Sequence, residues 1–260
     1  MPESIDLTAP DGTAFEVYVT RPEGETVGAL VVIHEIWGLV DHIRDVADRF
    51  AAEGWLVAAP DIMSRAGIEE HLGAELFALM NNPNEAVRTA AQPRLREALA
   101  GMRAPEYAEW AVGALGAVVD WLQDQPGGEG RVAVTGFCFG GSYAFALAAS
   151  DDRIRAAVPF YGTAPAPATI AQIHAPVLAL YGERDSALVD ALPAVRQAMS
   201  DAGVDFEAVV YPAAEHAFFN DTGRRYSAAH SADAWARVLA FLDEHVAADG
   251  AGGHARNHAG

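Results

Sequence analysis

Short apolar runs alternate with amphipathic stretches along most of the chain. Continuous apolar runs are typical of strands buried on both faces, whereas apolar positions three and four apart are typical of helices. Strands are predicted at residues 5–7, 15–19, 29–33, 55–59, 132–135, 154–161, 176–181 and 206–211. The first two flank Asp11-Gly12, which favours a hairpin turn. Strands that alternate with helices predict an α/β fold with a doubly wound, mostly parallel sheet.

The pattern changes between residues 63 and 105. Two stretches of helical spacing are separated there by Asn81-Asn82-Pro83, so we expect a helical insertion. It could cover a pocket or simply add a surface layer. No repeat or linker divides the rest, which predicts one domain over residues 1–247. The Gly- and Ala-rich segment 248–260 predicts a disordered tail.

Composition narrows the class of protein. The chain has 36 acidic and 17 basic residues, a net charge of −19, so nucleic acid is not an expected partner. No apolar run approaches the length of a membrane span. The single cysteine and a first segment unlike a secretion signal predict a cytoplasmic protein. We expect a monomer or a small homo-oligomer.

The predicted strand at 132–135 runs directly into a short glycine-rich turn. Gly136-Phe-Cys-Phe-Gly140 matches the nucleophile-elbow pattern G-x-S-x-G with cysteine in place of serine. A helical stretch follows, and the free N–H groups at its N-terminus would favour a negative charge on sulfur. Cys138 is therefore a candidate nucleophile. The alternative is a small buried core residue.

Two further candidates follow later strands. Sites in such sheets form beyond the carboxyl ends of the strands, where Asp185 and His216 are expected. The order nucleophile, acid, histidine is that of α/β-hydrolases. His216 would act as base and Asp185 would orient its ring, although Glu183 is a nearby rival. The backbone N–H groups of Phe139 and Ile36 are the expected oxyanion donors.

Other polar residues have simpler interpretations. We expect Asp61 to cap or brace a loop and His34 to pack beneath one. His254 and His258 have a spacing that could bind metal on a helix, but they lie in the predicted tail. The sequence implies no metal site and no organic cofactor.

With these residues, the chain resembles the dienelactone hydrolase family of carboxymethylenebutenolidase-like α/β-hydrolases. The resemblance covers about residues 5–245. It rests on five motifs: His34-Glu-Ile-Trp-Gly-Leu39, Ala59-Pro-Asp61, Gly136-Phe-Cys-Phe-Gly-Gly141, Gly182-x-x-Asp185 and His216-Ala-Phe218. A cysteine elbow together with a glutamate after the early strand distinguishes this family from generic serine esterases.

The resemblance implies roles for particular residues. Cys138, Asp185 and His216 would form a triad, and Glu35 would hold the thiol neutral until substrate displaces it. Arg65 matches one of two arginines that bind the substrate carboxylate, whereas the second position is Asn220, with Arg224 and Arg225 nearby. Trp37 and Tyr161 fall at pocket positions, although both could be core aromatics.

The expected function is hydrolysis of a small ester or lactone through a thioester acyl-enzyme. The alternatives are a thioesterase or broad esterase with the same triad, and a non-catalytic family member that binds a small acid. The arginine missing at Asn220 makes a dienelactone a doubtful substrate. A redox role would require a second cysteine, which the chain lacks.

Overall fold

The computed structural model describes residues 2–247. One eight-stranded sheet runs through it. Its strands are β1 (Glu3–Thr8), β2 (Ala14–Thr20), β3 (Gly28–Ile33), β4 (Trp55–Pro60), β5 (Val132–Phe137), β6 (Ile154–Phe160), β7 (Val177–Gly182) and β8 (Phe206–Tyr211). The expected tail, with His254 and His258, lies outside the described residues.

The sheet is mostly parallel, as predicted. The strand order is β1-β2-β4-β3-β5-β6-β7-β8. β2 is antiparallel to both of its neighbours, and β3 to β8 are parallel. The chain moves from β3 outward to β4 and then returns to β5 on the other side of β3. This reversal is the switch point at which α/β sheets bind ligands.

Helices cover both faces of the sheet. They are α1 (Asp41–Ala52), α2 (Glu70–Met80), α3 (Glu85–Ala98), α4 (Pro105–Gln123), α5 (Phe139–Ser150), α6 (Pro167–Ile170), α7 (Ser186–Ala202) and α8 (Ala228–Leu242). Apolar residues of α4, α5 and α7 pack against one face, and those of α1 and α8 pack against the other. Two separate cores result, so the central strands β3, β4, β5 and β7 are buried throughout.

The insertion is helical, as the sequence predicts. A short 3₁₀ turn (Ser64–Ala66) leads into α2 and α3, and a second one (Leu99–Arg103) leads into α4. Asn84 caps α3, because its side chain accepts the Ala86 N–H at 2.9 Å. The sequence pattern missed α6, which is a single turn and too short to show helical spacing.

Among residues 2–247, no helix combines the length and the apolar character needed to cross a lipid bilayer. The N-terminal hairpin of β1 and β2 is confirmed, with Gly12 in the left-handed region at its turn. The prediction of an α/β sheet of this class is confirmed as well.

Candidate active site

The elbow holds Cys138 in a strained backbone conformation between β5 and α5. Its φ of 57° and ψ of −111° are unusual for a residue with a side chain. A Cβ on Gly140 would lie 2.2 Å from the Ile33 carbonyl oxygen, and one on Gly136 would lie 2.1 Å from the Gly140 carbonyl oxygen. Only glycine permits these approaches. They bring the thiol to the end of the central strands, where it is partly exposed.

The two expected oxyanion donors come from different loops near the thiol. Phe139 begins α5, and Ile36 follows β3 and lines the same cavity as Cys138. Within residues 2–247, neither N–H donates to a backbone or side-chain acceptor. Free N–H groups at these two positions are what an oxyanion hole requires.

His216 and Asp185 are neighbours across two loops. His216 Nδ1 hydrogen-bonds Asp185 Oδ2. A Cβ on Gly182 would lie 2.6 Å from the carbonyl oxygens of Ala214 and Glu215, so the end of β7 presses directly against the histidine loop. The rival acid, Glu183, instead accepts the Ala213 N–H at 2.8 Å. The geometry therefore selects Asp185 as the partner of the imidazole.

The charge state of His216 is set by competing effects. Burial lowers the pKa of the imidazole, but hydrogen bonds with Asp185 and with the Cys138 sulfur raise it to about 10. His216 and Cys138 line the same cavity, and a negative charge on sulfur favours the imidazolium.

Glu35 lines the same cavity as Cys138 and His216 and is only 3% exposed. Asn220 donates its side-chain N–H to Glu35 Oε2 at 2.8 Å. The Asn220 oxygen in turn accepts the Thr222 N–H and hydroxyl, at 3.1 Å and 2.7 Å, which fixes the orientation of the amide. Burial raises the pKa of the Glu35 carboxyl, although the Asn220 hydrogen bond and the nearby cation at His216 oppose it. Glu35 is thus able to carry a proton within the site.

Tyr161 directly follows β6, with a φ of 39° and 1% exposure. Its ring centroid is 5.0 Å from that of His216. Its buried hydroxyl has no hydrogen-bond partner among the described residues. Burial raises the pKa of this phenol, and the charges of Glu35 and Cys138 raise it further. Tyr161 thus packs against the His216 ring from a buried position.

Arg65 lies elsewhere, contrary to what the family resemblance implied. Its guanidinium contacts Asp11 Oδ2 at 3.2 Å and Thr13 Oγ1 at 3.1 Å, at the turn of the N-terminal hairpin. It also lies 5.4 Å from the ring centroid of Trp110. An exposed arginine with these three partners is held outside the cavity that contains Cys138.

A cavity of about 240 Å³ opens onto the thiol. One wall is apolar and comes partly from the insertion, through Phe77, Met80 and Leu95. Trp37 packs edge-on against Phe77, with centroids 5.6 Å apart. Charged and polar groups stand on the side of the histidine loop; they are Asn220, Arg224 and Arg225. The site therefore combines a polar end with an apolar wall.

The residues that the sequence did not single out come mostly from the insertion. Phe77, Met80 and Leu95 occupy ordinary apolar positions of helices, so nothing local marked them as pocket residues. Asn220 was noted because the family resemblance implies an arginine at that position, and its hydrogen bond to Glu35 could not be predicted from the sequence. The insertion does border a pocket, the first of the two alternatives.

The simpler interpretations hold for two polar residues. Asp61 Oδ1 accepts the N–H groups of Met63 and Ser64, at 2.9 Å and 3.1 Å, and so braces the loop after β4. His34 is fully buried beneath the Glu35 loop. Within the part of the chain that the structure describes, no three His, Cys, Asp or Glu side chains cluster in a way that could hold a metal ion.

Comparisons with known proteins identify close relatives. The model of the dienelactone hydrolase family matches residues 15–246. A protein of Saccharolobus solfataricus named "Putative carboxymethylenebutenolidase" is 32% identical, with 89% of this chain and 95% of that protein covered. One of the same name from Escherichia coli K12 is 31% identical, with 90% of this chain and 84% of that protein covered. A Klebsiella pneumoniae crystal structure titled "Putative Dienelactone Hydrolase" is 29% identical, with a TM-score of 0.77 and coverage of 94% and 99% of the two chains.

Proposed function

The chain belongs to the dienelactone hydrolase family, a family of hydrolases, and we propose that it cleaves small esters or lactones with Cys138 as nucleophile. One observation carries this proposal: His216, hydrogen-bonded to Asp185, lines the same cavity as the Cys138 thiol, which stands on a strained elbow. Glu35 and two unpaired N–H groups complete the set of groups that acyl transfer requires.

Acylation begins when the Cys138 thiol gives up its proton and the thiolate attacks the substrate carbonyl carbon. The S–C bond forms, and the carbonyl oxygen becomes an anion that the N–H groups of Phe139 and Ile36 stabilise. The intermediate collapses, the C–O bond breaks, and the leaving oxygen takes a proton from the His216 imidazolium. The product of this half-reaction is a thioester on Cys138.

Deacylation uses the same groups in reverse. Neutral His216 removes a proton from water, and the hydroxide attacks the thioester carbonyl. The C–S bond breaks, the carboxylic acid leaves, and the thiolate takes back the proton held on Glu35, which restores the resting thiol. Asp185 stabilises the imidazolium in both half-reactions.

Glu35 is the proposed acceptor of the thiol proton. Burial raises the pKa of its carboxyl, which makes the neutral, protonated form accessible inside the site. Asn220 occupies Oε2, so a proton is carried on Oε1. In this proposal the thiolate forms only when substrate displaces Glu35 from the sulfur.

The cavity suggests a substrate with an apolar body and a negative charge at one end. Arg224 and Arg225 line the cavity, and Arg225 is held by Glu215, with 3.3 Å between Nε and Oε2. In this proposal they bind the negative charge of the substrate, the role that the family resemblance implied for Arg65. A second candidate, a broad esterase for neutral apolar esters, is favoured by the wall of Phe77, Met80 and Leu95.

Two measurements test these proposals. We expect Cys138→Ala to lose hydrolysis of nitrophenyl acetate while its circular dichroism spectrum stays that of the wild type; unchanged turnover would remove cysteine from the mechanism.

A panel of an acidic lactone, the matching neutral lactone and short esters tests the substrate class. Arg225→Gln should remove any preference for the acidic lactone, whereas Arg65→Gln, a change outside the cavity, should keep it. A wild-type protein that does not prefer the acidic lactone over the neutral one would favour the broad esterase, and a preference that survives in Arg225→Gln would remove Arg225 from substrate binding.

We further infer a cytoplasmic protein that is a monomer or a small homo-oligomer. A single, partly exposed thiol with a catalytic role is best kept reduced. Light scattering coupled to size-exclusion chromatography tests the oligomeric state, and cell fractionation tests the location.

A further inference from the structure

His34 immediately follows β3 and lies at the junction of three loops. Its side chain is fully buried. Its Nδ1 is 2.7 Å from the Glu35 carbonyl oxygen, and its Nε2 is 3.1 Å from the Ile62 nitrogen. Both ring nitrogens therefore have backbone partners, one on the Glu35 loop and one on the loop after β4.

These two contacts determine the tautomer. The Ile62 N–H can only donate, so Nε2 must be the acceptor. The Glu35 carbonyl can only accept, so Nδ1 must carry the proton. Burial lowers the pKa of this imidazole, while the Asp61 carboxylate, 3.9 Å from Nε2, acts in the opposite direction. A neutral ring with its proton on Nδ1 satisfies both neighbours.

The contact with Glu35 fixes a peptide that matters for catalysis. The Glu35 carbonyl and the Ile36 N–H belong to the same planar trans peptide and point in opposite directions. Holding the carbonyl towards the buried His34 ring therefore turns the Ile36 N–H towards the cavity. The Gly38 N–H also donates to this carbonyl, but at 3.2 Å, which makes His34 the nearer of its two donors.

His34 also contacts the residue that carries the other donor. Its ring is stacked with that of Phe139, with centroids 6.0 Å apart and planes 5° apart. A Cβ on Gly140 would lie 2.5 Å from the His34 carbonyl oxygen, so the first turn of α5 rests on the His34 backbone. One side chain thus touches both loops that supply N–H groups to the proposed oxyanion hole.

We propose that His34 is a positioning residue that sets the orientation of the Ile36 N–H, and its spacing from Phe139, in the oxyanion hole. This rests on the proposed function, because an oxyanion forms only if the protein performs acyl transfer. His34 does not touch the substrate. It should therefore affect the step in which a carbonyl oxygen becomes an anion, and leave the thiol itself unchanged.

Two reactions of the same thiol separate these effects. Acylation by nitrophenyl acetate passes through an oxyanion, whereas alkylation by iodoacetamide displaces iodide at a CH₂ group and forms none. His34→Gln places an amide near the position of Nε2, so it keeps the Ile62 contact and loses the Glu35 contact. His34→Asn places its amide near the position of Nδ1, so it keeps the Glu35 contact and loses the Ile62 contact.

Tyr107→Phe is the matched control. The Tyr107 hydroxyl donates to the Ile62 carbonyl at 2.7 Å and is buried, so this variant loses a buried hydrogen bond of the same loop without touching Glu35. A loss of one oxyanion donor costs about 10²–10³ in rate, so a misdirected donor should cost at least about tenfold. We expect His34→Gln to acylate at least tenfold more slowly with alkylation changed by less than about threefold.

His34→Asn and Tyr107→Phe should retain acylation within about threefold of the wild type. The proposal is overturned if His34→Gln acylates normally, if acylation and alkylation fall together, or if His34→Asn loses acylation as strongly as His34→Gln. If His34→Gln does not fold, the Asn variant decides alone, since only retained acylation supports the proposal. A failure of the proposed function looks different, because the wild-type protein would then form no acyl-enzyme.

Discussion

The catalytic edge of the sheet and the wall formed by the insertion meet at one cavity but are built in different ways. At the edge, Cys138, Asp185 and His216 stand on loops held by backbone approaches that only glycine permits. In the wall, Phe77 and Leu95 stand on two half-exposed helices outside the sheet. The edge should therefore determine how the reaction proceeds, and the wall should determine which substrates enter.

The two regions are joined at Trp37. A Cβ on Gly73 of α2 would lie 1.8 Å from the Trp37 carbonyl oxygen, and the Trp37 ring packs on Phe77. A second link lies at Asn81, whose Oδ1 accepts the Arg224 N–H at 3.2 Å. The wall is thus attached both to the loop after β3, which carries Ile36, and to the loop that carries His216. Changes at the edge should affect all substrates equally, whereas changes in the wall should discriminate among them.

The largest effect is expected at the edge, for Asp185→Asn. The amide cannot stabilise the imidazolium and favours the wrong ring tautomer, so kcat should fall by about 10³–10⁴ for every ester tested. Glu183→Gln is the matched control, since Glu183 binds the Ala213 N–H rather than His216. Steady-state kinetics of both variants decide the matter. A loss of kcat that is larger for Glu183→Gln than for Asp185→Asn would show that Glu183, and not Asp185, is the acid that supports His216.

A smaller effect is expected for Glu35→Gln, which should lower activity and raise stability. The folded-state pKa of Glu35 is raised by burial, so its favourable contribution to folding is present below its ordinary value of 4.5 and is lost as pH rises. At pH 8 the ionised group is therefore destabilising. Glutamine should therefore raise the Tm at pH 8, and it should slow acylation at least about tenfold.

Thermal denaturation of Glu35→Gln at pH 8 and pH 4 checks the sign. The gain in Tm of Glu35→Gln over the wild type should be smaller at pH 4, because the Glu35 carboxyl of the folded wild-type protein is protonated there. A variant that is less stable than the wild type at pH 8 would show that ionised Glu35 stabilises the fold.

The third prediction concerns the charge on His216 in Cys138→Ala. Two of the causes that raise the His216 pKa to about 10 come from the Cys138 sulfur, and the Asp185 hydrogen bond remains. The pKa should fall well below 10 in the variant. The stability that His216 contributes is present below its ordinary value of 6.5 and is lost as pH rises through the folded-state pKa, so this loss should begin at lower pH. NMR titration of the imidazole measures the change; an unaltered pKa would mean that sulfur and ring do not interact.

The smallest effect is expected in the wall. Phe77→Ala removes an aromatic ring that lines the cavity, so KM should rise several-fold for esters with long apolar acyl groups. Turnover of acetyl esters should change little. Leu79→Ala on the same helix is the control, because Leu79 is half-buried but does not line the cavity. If Phe77→Ala reduced activity equally for short and long esters, the wall would not determine substrate selectivity.

The same contrast explains what could be predicted from the sequence. The sheet and the approximate positions of Cys138, Asp185 and His216 follow from local signals, because each lies directly after a strand-like run. The family resemblance added Glu35. These signals depend on neighbours in sequence, and the parallel sheet then brings the residues to one edge.

The lining of the cavity depends instead on contacts between distant segments. Arg65 matched a family position five residues after Pro60, yet the hairpin turn at Asp11 holds its side chain outside the cavity. Asn220 was notable only as a missing arginine, and its contact with Glu35 joins residues 185 positions apart. The double contact of His34 likewise becomes visible only when the β3 and β4 loops are seen together.

The central claim is that Cys138 carries the acyl group during turnover. Acid quenching of the wild-type protein within its first turnovers of nitrophenyl acetate, followed by mass spectrometry of the intact chain and its peptides, tests this most directly. We expect one acetyl group per chain, located on the peptide that contains Cys138 and lost on treatment with hydroxylamine, and none in Cys138→Ala. Steady turnover with an unmodified Cys138 peptide at every quench time, or an acetyl group on another residue, would contradict it.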